Sequence, residues 1–508
     1  MKFDRSSTMY ATILLTATGL AGQILGFFYR IALSRLIGAE TMGLYQLVMP
    51  VYSVILSIIS VGLTTAVSTL AARYYALGQR SAVRQTLRRS LGIFFTLALP
   101  LSALIVLCSD FISVSLLGDA RTRLGLVLVA FCVILTGTEN VHKHLFYGIG
   151  QVRAPALIEL CEQIIRITAV LALLLLFLPQ YPERVVGLIV AGMIISEIFS
   201  VSSLLLLSRR RLGGRIAPAG PPVSRAAIGR IALPVGFTAL LGNLMGSATS
   251  VMIPQRLVAG GMAVSEAMSA FGVLSGMTIP LLSLPSALIG AMCLILVPKL
   301  SESSALNDKG AIRRRLGRAL QSTSVLMMPA TALLIVVGPS LGQLLFKDSR
   351  VGHHILPLAV GLLLCCYQSV LACALNGVGR QGVAARNALI ADVIQVAFTW
   401  YTVALPGVGL KGYVAGFVVS AVVGLGLNAL AVLRSTGLKI RWFPWLLSPG
   451  LAALLTGLCI NLLFRVTRNA GAPLPAAIGL CTVFGAVEYL AALQAQGVRL
   501  RQLFRLKA

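Results

Sequence analysis

Apolar residues run through this chain in long blocks, broken only by short polar punctuation. Fourteen blocks are long enough to cross a bilayer as helices, since a span takes about 20 apolar residues. They lie near 10–37, 43–72, 89–109, 124–147, 157–178, 185–207, 227–253, 268–297, 318–338, 354–377, 386–405, 410–433, 444–465 and 473–494. The connections between them are short. They leave no stretch in which a soluble catalytic domain could fold. The pattern predicts an all-α polytopic membrane protein of about fourteen transmembrane helices.

The pattern is also written twice. Pro100, Asp119, Arg121, Gly148 and Gly150 recur 229 positions later as Pro329, Asp348, Arg350, Gly377 and Gly379. Near the start the offset shrinks: LAGQILG (Leu20–Gly26) matches LLGNLMG (Leu240–Gly246), which puts Gln23 opposite Asn243. Helices 1–6 therefore correspond to helices 7–12. Six is even, so both halves enter the membrane in the same sense, as a parallel repeat. The expected organisation is a first six-helix bundle (1–208), a basic cytoplasmic linker (209–230), a second bundle (231–433), and an added helix pair with a basic tail (434–508).

Composition agrees: charged residues are 11% of the chain, with a mean hydropathy of +0.91; soluble proteins carry about 25% charged residues. The net charge of +27 could suggest nucleic acid, but the charge is sorted by loop. With the first helix starting inside, thirty of the 42 Lys and Arg fall on inward segments, ten on outward loops, and Arg30 and Arg166 within spans. This is the positive-inside bias. It predicts both termini in the cytoplasm of a cell-membrane protein, attraction to anionic lipids, and no nucleic-acid partner. Lys2 and Arg5 ahead of an apolar run imitate a signal peptide. The run is long and belongs to the repeat, so it is expected to remain as the first helix.

Charged groups inside spans cost about 2.5–3.5 kcal/mol each on insertion scales, so each needs a reason. The acids are Glu139, Glu159, Glu162, Glu197, Asp392 and Glu488; the bases are Arg30 and Arg166. Glu159, Glu162 and Arg166 share one face of the fifth helix. Glu162 and Arg166 are spaced for an intrahelical pair, which leaves two readings open: a structural lock, or a cavity face where Arg166 meets an anion. For Arg30 the alternatives are the cavity and snorkelling to the outer surface. In the repeat, Glu139 and Asn140 become Gln368 and Ser369, while Gln163 and Arg166 become Asp392 and Gln395. Polarity kept at matching positions favours a shared cavity. Pro280 and Pro285 loosen the eighth helix, with Pro298 further along; an ordinary kink and a flexible wall are both open.

The acids outnumber the bases, which suits coupling to H+ or Na+, or to the membrane potential; no other cofactor is expected. The nine cysteines form no C-x-x-C and read as small apolar fillers. His142 and His144 are too few for zinc, so no metal site is expected. No nucleophile–base pair stands out, and the chain is not expected to be an enzyme.

Three segments, RLIGAETMGLYQLVMP (Arg35–Pro50), PALIELCEQIIRI (Pro155–Ile167) and LVPKLSESSALNDKG (Leu296–Gly310), in this order and spacing, resemble the polysaccharide-exporter branch of the multidrug/oligosaccharidyl-lipid/polysaccharide flippase superfamily. The likeness covers nearly the whole chain. It implies a flippase moving an undecaprenyl-pyrophosphate-linked saccharide, such as lipid II or another envelope or spore-cortex precursor, by alternating access. Cell-wall synthesis enzymes are the protein partners it implies. The added helix pair resembles that of bacterial lipid II flippases, where it forms a groove for the lipid tail. The family's first-helix arginine corresponds to Arg30 with a one-residue shift, because Phe28 and Tyr29 intervene after Gly26-Phe27. Its fifth-helix glutamate and arginine fall on Glu162 and Arg166. The expected substrate-binding residues are Arg30, Arg166, Gln23 and Asn243. Glu139, Asn140, Glu162, Glu197, Asp392 and Gln395 are the expected ion-coupling or polar cavity residues. A cation-coupled multidrug efflux carrier is the alternative on the same scaffold.

Overall fold

A computed structural model describes residues 8–212 and 223–496. Ten of the 22 residues of the predicted basic linker (213–222), the basic tail and both termini lie outside the described residues. Among the described residues there is no strand. The helices are α1 (Thr8–Leu56), α2 (Gly62–Ala76), α3 (Arg80–Leu107), α4 (Arg123–Gly148), α5 (Arg153–Phe177), α6 (Val185–Leu212), α7 (Arg225–Ala259), α8 (Val264–Phe271), α9 (Ala287–Ala305), α10 (Lys309–Phe346), α11 (Ile355–Gly377), α12 (Gln381–Thr402), α13 (Leu410–Thr436), α14 (Ser448–Asn469) and α15 (Leu474–Ala495).

Among the described residues, twelve helical stretches are long and apolar enough to cross a membrane, and the first of them runs over 63 residues, Leu14–Ala76. That stretch holds two predicted spans. The break between them is Gly38, whose φ of 75° lies in the left-handed region that glycine enters without penalty. Helix α12 also matches a predicted span, although Arg386, Asn387, Asp392 and Gln395 dilute its hydropathy. The fourteen predicted blocks thus all fall on helix, and the chain is a polytopic α-helical membrane protein.

The eighth span is interrupted where the prolines sit. A π-helical turn (Gly272–Thr278) leads into a short helix (Ile279–Ser283), then a 3-10 turn (Leu284–Ser286), before α9 begins. Pro280 and Pro285 lack the amide proton that would carry the helix through. Pro298 is accommodated inside α9.

Packing divides the chain into two compact units: Met1–Val258 with Met262–Gly272, and Ala259–Gly261 with Val273–Ala508. Helices α7 and α8, which the sequence repeat counts with the second half, pack with the first. Glycines make this possible. A Cβ on Gly62 would strike the Ala232 carbonyl of α7, and one on Gly43 the Met268 carbonyl of α8. In the first unit, Leu33, Met42, Val170, Leu174 and Ile189 join α1, α5 and α6 in one core. Val67, Val83, Val141 and Phe146 join α2, α3 and α4 in another. In the second unit, Val325, Ala452, Ala453 and Tyr489 fix α10 against the added pair α14–α15. The outer faces stay apolar. Leu454, Leu458 and Leu462, one turn apart on α14, are 62%, 61% and 66% exposed. A stripe of that size on a helix of this hydropathy faces lipid.

The repeat is legible in atomic detail. Asp119 caps a 3-10 turn by accepting from the Arg121 amide at 2.9 Å, and its Oδ2 accepts from the Arg121 guanidinium at 2.7 Å. Asp348 does the same for Arg350, at 2.9 and 2.7 Å. Gly148 presses on Ser68 and Ala71, and Gly377 on Val297 and Leu300, which are their counterparts at the same offset. Gly150 and Gly379 both take left-handed φ, 76° and 78°.

Candidate functional site

The first unit buries a charged cluster where α4, α5 and α6 meet. Glu139 comes from α4, Glu162 from α5 and Glu197 from α6, and one oxygen from each lies within 4.8 Å of the others. Their side chains are 4%, 6% and 1% exposed. Arg166, one turn beyond Glu162, pairs with it and donates to Glu197 at 3.2 Å. Its Nε donates to Ser196 at 3.3 Å. Arg166 is the most exposed of the four, its side chain 23% exposed.

Lys143 completes the set. The sequence reading places it among inward-segment cations. It lies instead inside α4, 14% exposed, 3.4 Å from Glu139 and 3.6 Å from Glu159. Tyr147 donates to Glu159 at 3.3 Å. Burial of a lysine is costly unless it is paired, and Glu139 stands one turn before it. That i, i+4 spacing is the signal in the sequence that would have found it. Ser196 and Ser200 carry no such signal; a serine in an apolar helix reads as filler.

Charge in the cluster does not cancel. Three buried carboxylates face two buried cations, Arg166 and Lys143, so one negative charge is in excess when all are ionised. Oε2 of Glu197 is buried without a hydrogen bond among the described residues, whereas Oε1 of Glu139, which also lacks one, lies 3.4 Å from the Lys143 ammonium. Acidic groups within a span mark ion pathways and proton relays, and an unpaired buried carboxylate oxygen is a site for a proton or a small cation.

The other expected residues stand elsewhere. Arg30, on α1, is partly buried, and Tyr29 beside it joins the core. Gln23 is exposed on α1. Asn243, on α7, donates to Ser57 at 2.5 Å. Asn140 is partly buried. In the second unit, Gln395 accepts from Ser420 at 2.9 Å and donates to the Tyr413 carbonyl at 3.4 Å. Asp392 is half-buried on the same helix, with no ion pair among the described residues. His142 bonds the Thr138 carbonyl at 2.7 Å, which ties one ring nitrogen to its own helix. Glu488, one of the acids inside a span, accepts from Thr456 and ties α15 to α14.

A family model described as "Polysaccharide biosynthesis protein" matches residues 10–304, more than half of the chain. The chain belongs to the polysaccharide biosynthesis protein family. A second model, "Lipid II flippase MurJ", matches residues 262–474. Stage V sporulation protein B of Bacillus subtilis (strain 168) is 24% identical over 450 residues, 87% of each chain. Lipid II flippase MurJ of the same organism is 23% identical over 420 residues, covering 77% of this chain and 76% of that protein. Among solved structures, one of lipid II flippase MurJ in an inward closed conformation superposes with a TM-score of 0.74 at 14% identity, over 97% of this chain and all of that one. An inward-facing multidrug resistance MATE transporter of the MOP superfamily superposes with a TM-score of 0.63 at 17% identity, over 83% and 98%. The family member therefore has the fold shared by these flippases and transporters.

Proposed function

We propose that this protein flips a lipid-linked saccharide, an undecaprenyl-pyrophosphate-linked envelope or spore-cortex precursor, across the cytoplasmic membrane by alternating access, with both termini in the cytoplasm. The observation that carries the reading is Arg166: a partly exposed arginine inside a span, held by buried carboxylates. An arginine fork matches phosphate oxygens with two parallel hydrogen bonds. One relative is named a lipid II flippase, and a pyrophosphate-linked lipid would supply such an anion.

The surrounding acids give the arginine a switch. While Glu162 and Glu197 are ionised they occupy the fork. Taking up one H+ or Na+ cancels the excess negative charge and frees the fork for pyrophosphate. Losing that cation restores the pair and expels the anion. No bond is made or broken. The two six-helix repeats would move as the alternating bundles, and the lipid tail would stay in the bilayer beside α14 and α15.

The test is translocation of labelled lipid II in proteoliposomes, read as protection from an external modifying reagent. Arg166→Ala should abolish protein-dependent flipping while the purified protein keeps its helical content and monodisperse profile. Flipping retained in that variant argues against the role of Arg166.

The excess of carboxylates favours a second reading, cation-coupled efflux of small amphipathic drugs, whose cargo is commonly cationic. Depletion in cells separates the two: accumulation of lipid-linked precursor in the inner leaflet supports the flippase, and drug sensitivity without accumulation supports the efflux carrier.

A further inference from the structure

A separate cavity of about 470 Å³ opens in the second unit, far in sequence from the carboxylate cluster. Arg313, Arg314 and Arg318 from the first turns of α10 line one side. Lys439 and Arg441, from the segment after α13, line the other. Trp445 forms the floor: its ring packs on Gly317, where a Cβ would meet it at 2.5 Å, and it joins the core beneath. No carboxylate lines the cavity, and none of the five cations makes an ion pair with an acid among the described residues. The neighbouring acids are committed: Asp308 caps α10 at the Ala311 amide, and Glu302 pairs with Arg315. Arg313 also donates to the Thr436 carbonyl at 2.9 Å, which joins the two walls.

Five cations around one concave site repel one another unless an anion joins them. The depth of the site says which anion. Trp442 and Phe443, which follow the lining residue Arg441 in the chain, are 61% and 58% exposed. Exposed aromatics at the end of a span belong at the headgroup level. The charge sorting of the loops puts these segments on the inward side. Residues 497–508 hold four cations and no acidic side chain, so their side chains offer the cavity no counter-charge.

We propose that this cavity binds the phosphate-bearing headgroup of an anionic phospholipid of the inner leaflet. Basic pockets between helices on the cytoplasmic side are the usual form of such sites. Arg314, Arg318, Lys439 and Arg441 hold the phosphate, and Arg313 braces the wall. The bound lipid ties the start of α10 to the segment that leads into α14.

The test uses Trp445 as the reporter, in full-length protein carrying Trp400→Phe and Trp442→Phe, reconstituted in nanodiscs. Quenching by dibromo-phosphatidylglycerol is compared with quenching by dibromo-phosphatidylcholine. The proposal expects a preference for phosphatidylglycerol of at least about tenfold, which two cations near the surface would already supply. Arg314→Gln/Arg318→Gln/Lys439→Gln should reduce it to near parity. Arg209→Gln/Arg210→Gln/Arg211→Gln, which removes equal charge elsewhere on the inward side, should leave it in place. Equal quenching by both lipids overturns the proposal. So does equal loss in both triple variants, which would mean diffuse surface charge. Inorganic pyrophosphate provides the free-phosphate arm: if it shifts Trp445 emission while phosphatidylglycerol shows no preference, the site takes a soluble anion and the lipid assignment fails.

Discussion

Arg166 and Glu197 meet at 3.2 Å across two helices, while the same guanidinium also holds Glu162 on its own helix. The sequence spacing pointed only to the second of these pairs. The cross-helix bond changes the meaning of the cluster, because it makes α5 and α6 one electrostatic unit. Removing Arg166 strands two buried carboxylates, and removing Glu197 strands little. We therefore expect strong coupling in a double-mutant cycle of Arg166→Ala and Glu197→Gln, with an interaction energy of about 1–3 kcal/mol. Denaturation of the purified protein in detergent measures it. Additive effects would mean that the two side chains do not interact.

The excess negative charge sets a second expectation. Neutralising one carboxylate with Glu197→Gln does permanently what a bound cation does transiently. The variant should match or exceed wild-type thermal stability, since like charges crowded at low dielectric disfavour the folded state. It should also lose dependence on the driving cation. A ligand present at about 100 times its Kd adds about 2.7 kcal/mol to folding, so Na+ should raise the wild-type Tm over K+ at matched ionic strength if Na+ is the ion. A response to pH alone would identify H+. If the wild type responds to neither, and Glu197→Gln transports as the wild type does, the cluster has no coupling role.

Asp348 offers a pH-dependent contribution outside the spans. The hydrogen bonds from Arg350 hold its carboxyl below the ordinary carboxylate range. A depressed carboxylate stabilises the fold above its unfolded pKa, about 3.9 for Asp. That contribution is lost as pH falls through the lower folded value. Asp348→Asn keeps a capping side chain but loses the ion pair with Arg350, so it should cost stability at pH 7 by about 0.2–1 kcal/mol, as partly exposed pairs do, and the gap to wild type should close as pH falls well below the unfolded value of about 3.9. Asp119→Asn should behave alike at pH 7, because its cap has the same geometry. Thermal unfolding at the two pH values checks both. A gap that persists unchanged in acid would exclude the ionic part.

This pair also shows what a sequence can disclose. Asp119 and Arg121 recur as Asp348 and Arg350 because the bonds between them are local, made within three residues, so both partners are visible in one short string. Spans are legible for a related reason: lipid demands a long apolar run whatever the neighbouring helices do. The break between the first two spans falls in the gap between their apolar blocks, 10–37 and 43–72, although Gly38 carried no signal of its own there. The carboxylate cluster was legible only one helix at a time. Glu139, Glu162 and Glu197 could each be marked as out of place in lipid, but which faces of α4, α5 and α6 meet depends on packing that no single helix encodes. Lys143 was misread because it stands near an inner helix end, where lysines ordinarily reach water; its partner one turn earlier reversed that. The basic cavity was hidden for the same reason, its walls being far apart in sequence.

The glycines that recur with the repeat carry a further prediction. Gly148 and Gly377 each end a helix where another helix passes at backbone distance. A Cβ on Gly377 would stand 2.7 Å from the Cβ of Leu300, and one on Gly148 would stand 2.9 Å from the Cα of Ser68. Neither obstacle is the flexible end of a side chain, so the helices must part. Gly148→Ala and Gly377→Ala should each destabilise by about 1–3 kcal/mol, as overpacking does. Gly382→Ala is the control, because a Cβ there meets nothing within 4 Å and it lies within α12, where alanine is favoured over glycine by about 1 kcal/mol. The control should be neutral or stabilising in the same thermal assay. If all three variants behave alike, the recurring glycines serve backbone freedom and not helix approach.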